Sequence, residues 1–144
     1  MGPRRAAREL AIQALYQLDV AGEEAADADL ALFWSHFEQP PAVQRFAREL
    51  VEGVRAERGR IDRLIADAAE HWRLPRLSRV DLAVLRLATF ELLARPDIPA
   101  SVTLDEAVEI ARRFGGDDSA AFVNGVLDHI ARTAGRRARP GAPE

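Results

Sequence analysis

Cysteine is absent from this 144-residue chain, and so is lysine. Without cysteine there are no disulfides, no thiolate metal ligands and no thiol nucleophile; the absence also suits a reducing, cytoplasmic setting. No run of eighteen apolar residues occurs, so no membrane-spanning helix is expected. The N-terminus has arginines but no apolar signal core, so no secretory signal is expected. Aromatics are few, at 6%. His36, His71 and His129 lie far apart and match no metal spacing. There is no glycine-rich phosphate loop, nucleophile elbow or HExxH. Nothing in the residues points to an enzyme, a metal or a cofactor.

What is present suits one globular domain. Hydrophobic residues make up 48% and charged residues 30%, with a net charge of −3. All 20 cationic side chains are arginine. Arginine suits phosphate contact and base stacking through its planar donor fork. An all-arginine chain also follows from a base-compositional bias of its genome, so clustering carries more weight than identity. Arg4, Arg5 and Arg8 gather at one end; Arg132, Arg136, Arg137 and Arg139 gather at the other.

Hydrophobic spacing is helical nearly throughout, with no strand alternation. A first helix is predicted from Pro3 to about Val20, with a core stripe of Ala7, Leu10, Ala11, Ala14, Leu15 and Leu18. A short helix follows, with Leu30, Phe33, Trp34 and Phe37 on one face, stopped at Pro40-Pro41. A third begins near Ala42 and breaks at Gly59 before Ile61, Leu64, Ile65 and Ala68 continue the pattern. A turn at Leu74-Pro75 divides the chain. Ser78 and Asp81 then open a helix that is apolar nearly all round, as a central buried helix is. Thr103 and Glu106 form a second capping pattern. Gly115-Gly116 stops that helix, and Asp117 or Asp118 caps the last one. The fold class is all-α: two small helix bundles packed as one domain over residues 1–132, with halves of about 3–70 and 78–132 and a disordered tail over 133–144.

Function is sought among residues the core does not explain. Ile12 and Tyr16 sit off the main stripe of the first helix, either as an exposed partner contact or as a wider core contact. Phe122 lies at the edge of the Val123, Val126, Leu127 and Ile130 stripe, either as rim packing or as a stacking platform for an unpaired base. Arg4, Arg5 and Arg8 form a basic patch suited to phosphate or to a solvated helix end. Arg86, inside the apolar helix, needs a buried partner, and the carboxylates of the Thr103 to Phe114 helix are expected to supply it.

The stretch PDIPASVTLDEAVEIARRFGGDDSAAFVNGVLDHIAR, from Pro96 to Arg132, resembles the C-terminal signature of the NusB family of bacterial transcription antitermination factors. RRAARELAIQALYQLD at the start, LVEGV at Leu50 to Val54 and VLRLATFEL at Val84 to Leu92 resemble the same family in order and spacing. The resemblance implies an all-α, non-enzymatic protein that binds the boxA element of ribosomal RNA leaders together with NusE, a small-subunit ribosomal protein. Other Nus factors and RNA polymerase complete the implied assembly, and some members form homodimers. It places Arg4, Arg5, Arg8, Asp118 and Phe122 at the RNA, and Tyr16 and Asp81 at the NusE interface; Ile12 is assigned to the same contact from its place beside Tyr16. Ala6, Ala120, Ala121, Ala100 and Ser101 stand where basic or aromatic residues are common in the family, and each lost cation removes a phosphate contact. Two alternatives are an accessory domain related to that of ribosomal RNA methyltransferases and a homodimer that has lost RNA binding.

Overall fold

The computed structural model describes residues 2–70 and 77–136. The expected turn at Leu74-Pro75, His71, and the chain beyond Arg136 lie outside the described residues. Among the described residues six α-helices follow in order: α1 (Pro3–Ala21), α2 (Ala26–His36), α3 (Pro41–Ala56), α4 (Arg58–Ala69), α5 (Arg79–Ala94) and α6 (Ala100–Thr133). A 3₁₀ turn, Glu23–Ala25, links α1 to α2. Among the described residues there is no strand. One group forms as α1 packs on α2 and α3, and another as α4, α5 and α6 pack together. The groups share one core, because α5 also lies against α1 and α3.

The central position of α5 follows from its composition. Val84, Leu85, Leu87, Ala88 and Leu92 point in several directions, and all are buried. Each large apolar side chain so buried contributes roughly 1.5–3 kcal/mol. Ser78 caps the helix, its Oγ accepting from the Asp81 N–H at 3.0 Å. Close approach to α3 depends on Gly53: a Cβ there would sit 2.1 Å from the Phe90 ring.

Helix ends depart from expectation at three places. The break between α3 and α4 falls at Glu57, whose N–H bonds to the Gly53 carbonyl, while Gly59 lies in the first turn of α4. Helix α6 starts after Pro99 rather than at Thr103. Thr103 is therefore inside the helix, and its hydroxyl donates to Glu91 at 3.2 Å instead of capping. Gly116 does interrupt α6 with φ 85°, a conformation that favours glycine. The chain also stays folded past Thr133. Arg136 donates to the carbonyls of Leu92, at 2.8 Å, and Ile98, at 2.6 Å, so the first residues of the expected tail are anchored to the body.

Candidate nucleic-acid and partner interface

The arginines that open α1 have three different environments. Arg4 is exposed, with its guanidinium 4.8 Å from the centroid of the Phe46 ring. Arg5 is a quarter exposed and pairs with Glu106 of α6. Their hydrogen bond holds the Glu106 carboxyl below its ordinary range. Arg8 is buried, which corrects its assignment to a solvent-facing phosphate patch. Its Nε and Nη2 donate to the two Glu91 oxygens, both at 2.8 Å, and Glu106 lies 3.6 Å away. α1 is packed between α3 and α5, so a wider arc of it is covered than the main stripe requires. A guanidinium in that arc must find a carboxylate. Glu91, the acid set among the apolar residues of the second half of α5, is a structural residue missed from the sequence; like Arg86, it is a charge inside an apolar stretch and so needs a buried partner.

Arg86 is buried as expected, but its partners differ. It donates to Asp62 of α4 at 2.9 and 3.2 Å, and Asp19 at the end of α1 lies 3.6 Å away. The α6 carboxylate Glu106 is instead engaged by Arg5 and Arg8 of α1.

Further along α1, a groove of about 410 Å³ runs between α1, the start of α5 and the middle of α6. Tyr16, Val20 and Phe114 line it and are exposed at 41, 58 and 52%. Ile12 lines it too, but at 4% exposure it is not the exposed neighbour expected beside Tyr16. The same widening of the buried arc explains both Ile12 and Arg8, which lie one turn apart on α1. Val80 closes the α5 side. Phe114 was missed because its spacing continues the α6 core stripe, although its ring stands out in solvent. The next residue on α5, Asp81, is also buried rather than open to a partner. Ser119 donates to its Oδ2 at 3.2 Å, and its Oδ1 has no hydrogen-bond partner among the described residues.

Past the Gly116 kink, Asp118 is exposed. Phe122 is 5% exposed and belongs to the core. That corrects its reading as an open stacking platform: a base cannot lie on a ring face covered by other side chains. At the far end, Arg132 pairs with Asp128 at 3.0 Å. Among the described residues, no three His, Asp or Glu side chains are placed to hold a metal, and no helix is long and apolar enough to cross a membrane.

Among the described residues the fold is all-helical and its surface carries a basic helix end and an apolar groove, the features of a binding protein. The NusB family model matches residues 5–132, and the chain belongs to the NusB family, whose members are non-enzymatic transcription antitermination factors. The transcription antitermination protein NusB of Myxococcus xanthus is 52% identical over 135 residues, covering 91% of this chain and 96% of that protein. Its counterpart in Geobacter sulfurreducens is 50% identical over 134 residues, covering 92% and 96%. Among solved structures, T. maritima NusB superposes with a TM-score of 0.77 at 40% identity, covering 96% of this chain and 95% of that one. A structure of the antitermination factors NusB and NusE in complex with double-stranded RNA matches with a TM-score of 0.70 at 25% identity, covering 92% and 98%.

Proposed function

We propose that this chain is a cytoplasmic antitermination factor that binds the boxA element of ribosomal RNA leader transcripts together with NusE. With other Nus factors it makes RNA polymerase pass terminators. The observation that carries this reading is the match over nearly the whole chain to a NusB seen with NusE and RNA.

Local surface chemistry supports a division of labour. Arg4, and Arg5 once it exchanges Glu106 for phosphate, supply the charge-assisted contacts that position RNA. Asp118 offers an exposed acceptor to base edges. The groove holding Tyr16, Val20 and Phe114 is the NusE side: exposed aromatics beside a buried Ile12 floor make an anchor-and-pocket surface. Asp81, buried behind the groove, acts indirectly by accepting from Ser119 and so tying the start of α5 to α6. Arg8 and Phe122 act indirectly, by holding α1 and α6 in place.

The test is fluorescence anisotropy of boxA RNA and a scrambled control, titrated with this protein with and without NusE at near-physiological salt. Selective binding that tightens with NusE is expected. Equal affinity for both RNAs in both conditions contradicts the proposal. Sedimentation of the protein alone then decides whether the groove is closed by a second copy.

A further inference from the structure

A second groove, of about 410 Å³, opens where the start of α1, the start of α3 and the turn after α5 meet. Arg4, Arg45 and Arg95 line it, with Phe46 between them. Arg4 and Arg95 lie over the Phe46 ring, 4.8 and 5.3 Å from its centroid, and the buried Arg8 reaches the same ring at 5.8 Å. Arg95 is locked by carboxylates: it donates to both oxygens of Asp97, at 2.9 and 2.8 Å, and to Glu49 at 2.8 Å. Arg4 and Arg45 have no such partner among the described residues, although both are exposed on the groove wall.

The backbone adds charge of the same sign. α1 and α3 each begin with proline, without a side-chain cap and without an acidic residue in the first turn. α2 and α5, by contrast, carry aspartates there. The positive ends of two helices therefore add to two guanidinium groups that hold no carboxylate in a hydrogen bond among the described residues, beside a half-buried aromatic ring; Glu49, the acid on the groove wall, is engaged by Arg95. A ligand that satisfies this groove needs an anionic group and a flat ring. An unpaired nucleotide has both, and Arg4 belongs to the groove wall.

We propose that this groove holds one unpaired nucleotide of the bound RNA, with its phosphate on Arg45 and on Arg4, whose exposed guanidinium swings off the Phe46 ring to meet it, and its base on the Phe46 face so uncovered, beside the fixed guanidinium of Arg95. This rests on the RNA-binding reading above and adds a site on α3 to it. It also supplies the base-stacking surface that the buried Phe122 does not.

The experiment is boxA RNA anisotropy in the presence of NusE across a salt series. It compares the wild-type chain with Arg45→Gln, Phe46→Leu and Arg63→Gln, the last on an exposed α4 position that does not line the groove. Arg45→Gln is expected to weaken binding and to reduce the slope of log K against log salt by about 0.7–0.9. Phe46→Leu is expected to weaken binding at least about fivefold with the slope unchanged. Arg63→Gln is expected to match the wild type. If the wild type binds RNA selectively while Arg45→Gln and Phe46→Leu keep its affinity and slope, the nucleotide site is overturned and the RNA reading stands. If the wild type itself fails to select boxA, the RNA reading falls and the site with it. Arg45 is a surface residue, so its variant folds and keeps the test decisive.

Discussion

At the start of α1, Arg4 lies in solvent over the Phe46 ring, while Arg8, one turn along, is sealed in a bidentate pair with Glu91. The residue type is the same and the helix is the same. What differs is how far α1 has travelled between α3 and α5. At Arg4 the neighbours are helix starts and water, so the charge stays available to an anion from outside. At Arg8 the neighbours are core, so the charge is already spent on Glu91, Glu106 and the packing they hold together. A basic cluster in sequence is thus two different things in space: a binding surface and a staple joining α1 to α5 and α6.

The comparison can be broken hardest at the staple. Glu91→Ala leaves the Arg8 guanidinium buried without its main partner and is expected to cost about 3–5 kcal/mol of stability in urea denaturation. Arg4→Ala in the same assay is expected to change stability by no more than about 0.5 kcal/mol. The double variant Arg8→Met with Glu91→Leu is expected to recover most of the loss, because an apolar pair of similar volume removes the desolvation cost. A Glu91→Ala protein as stable as the wild type would mean that Arg8 is not sealed.

Phe122→Ala draws the same line on α6. As a core ring it is expected to cost about 3–5 kcal/mol of stability. Reduced RNA binding would then follow from lost folding; unchanged stability with specific loss of RNA binding would restore Phe122 as a direct RNA contact.

The smallest effect lies between the two extremes, at Arg5. Glu106→Gln frees Arg5 from its carboxylate, and RNA affinity is expected to rise by less than about fivefold, the range of a part-exposed ion pair. The same pair sets a pH dependence. The hydrogen bond from Arg5 holds the Glu106 carboxyl below its ordinary value in the folded chain. Its stabilisation is therefore complete above that value and lost as pH falls through the lower folded value. Denaturation midpoints should drop on acidification through and below the ordinary carboxylate range, and less steeply in Glu106→Gln.

Most of the fold was legible because apolar spacing reports which face of a helix is covered. The α5 helix read as central because it has no polar face, and the Ser78 cap and the Gly116 stop read correctly because local backbone chemistry demands those residues. What was not legible is pairing across long sequence separation. Arg8 meets Glu91 from 83 residues away, and Arg86 meets Asp62 rather than α6. Helix spacing gives the direction of a side chain, not the width of the arc that neighbours will cover. Ile12, Arg8 and Phe122 all fell just inside that arc. The groove around Phe46 was invisible for a related reason: Arg4, Arg45 and Arg95 come from three separate segments and meet only once α1, α3 and α5 are packed.

The division between open and sealed arginine is tested most directly by the salt dependence of boxA binding with NusE present, for wild type and Arg4→Gln. The account predicts that removing Arg4 weakens binding and lowers the salt slope by about 0.7–0.9, with thermal stability unchanged. An unchanged affinity and slope would contradict it, because the exposed end of α1 would then hold no phosphate.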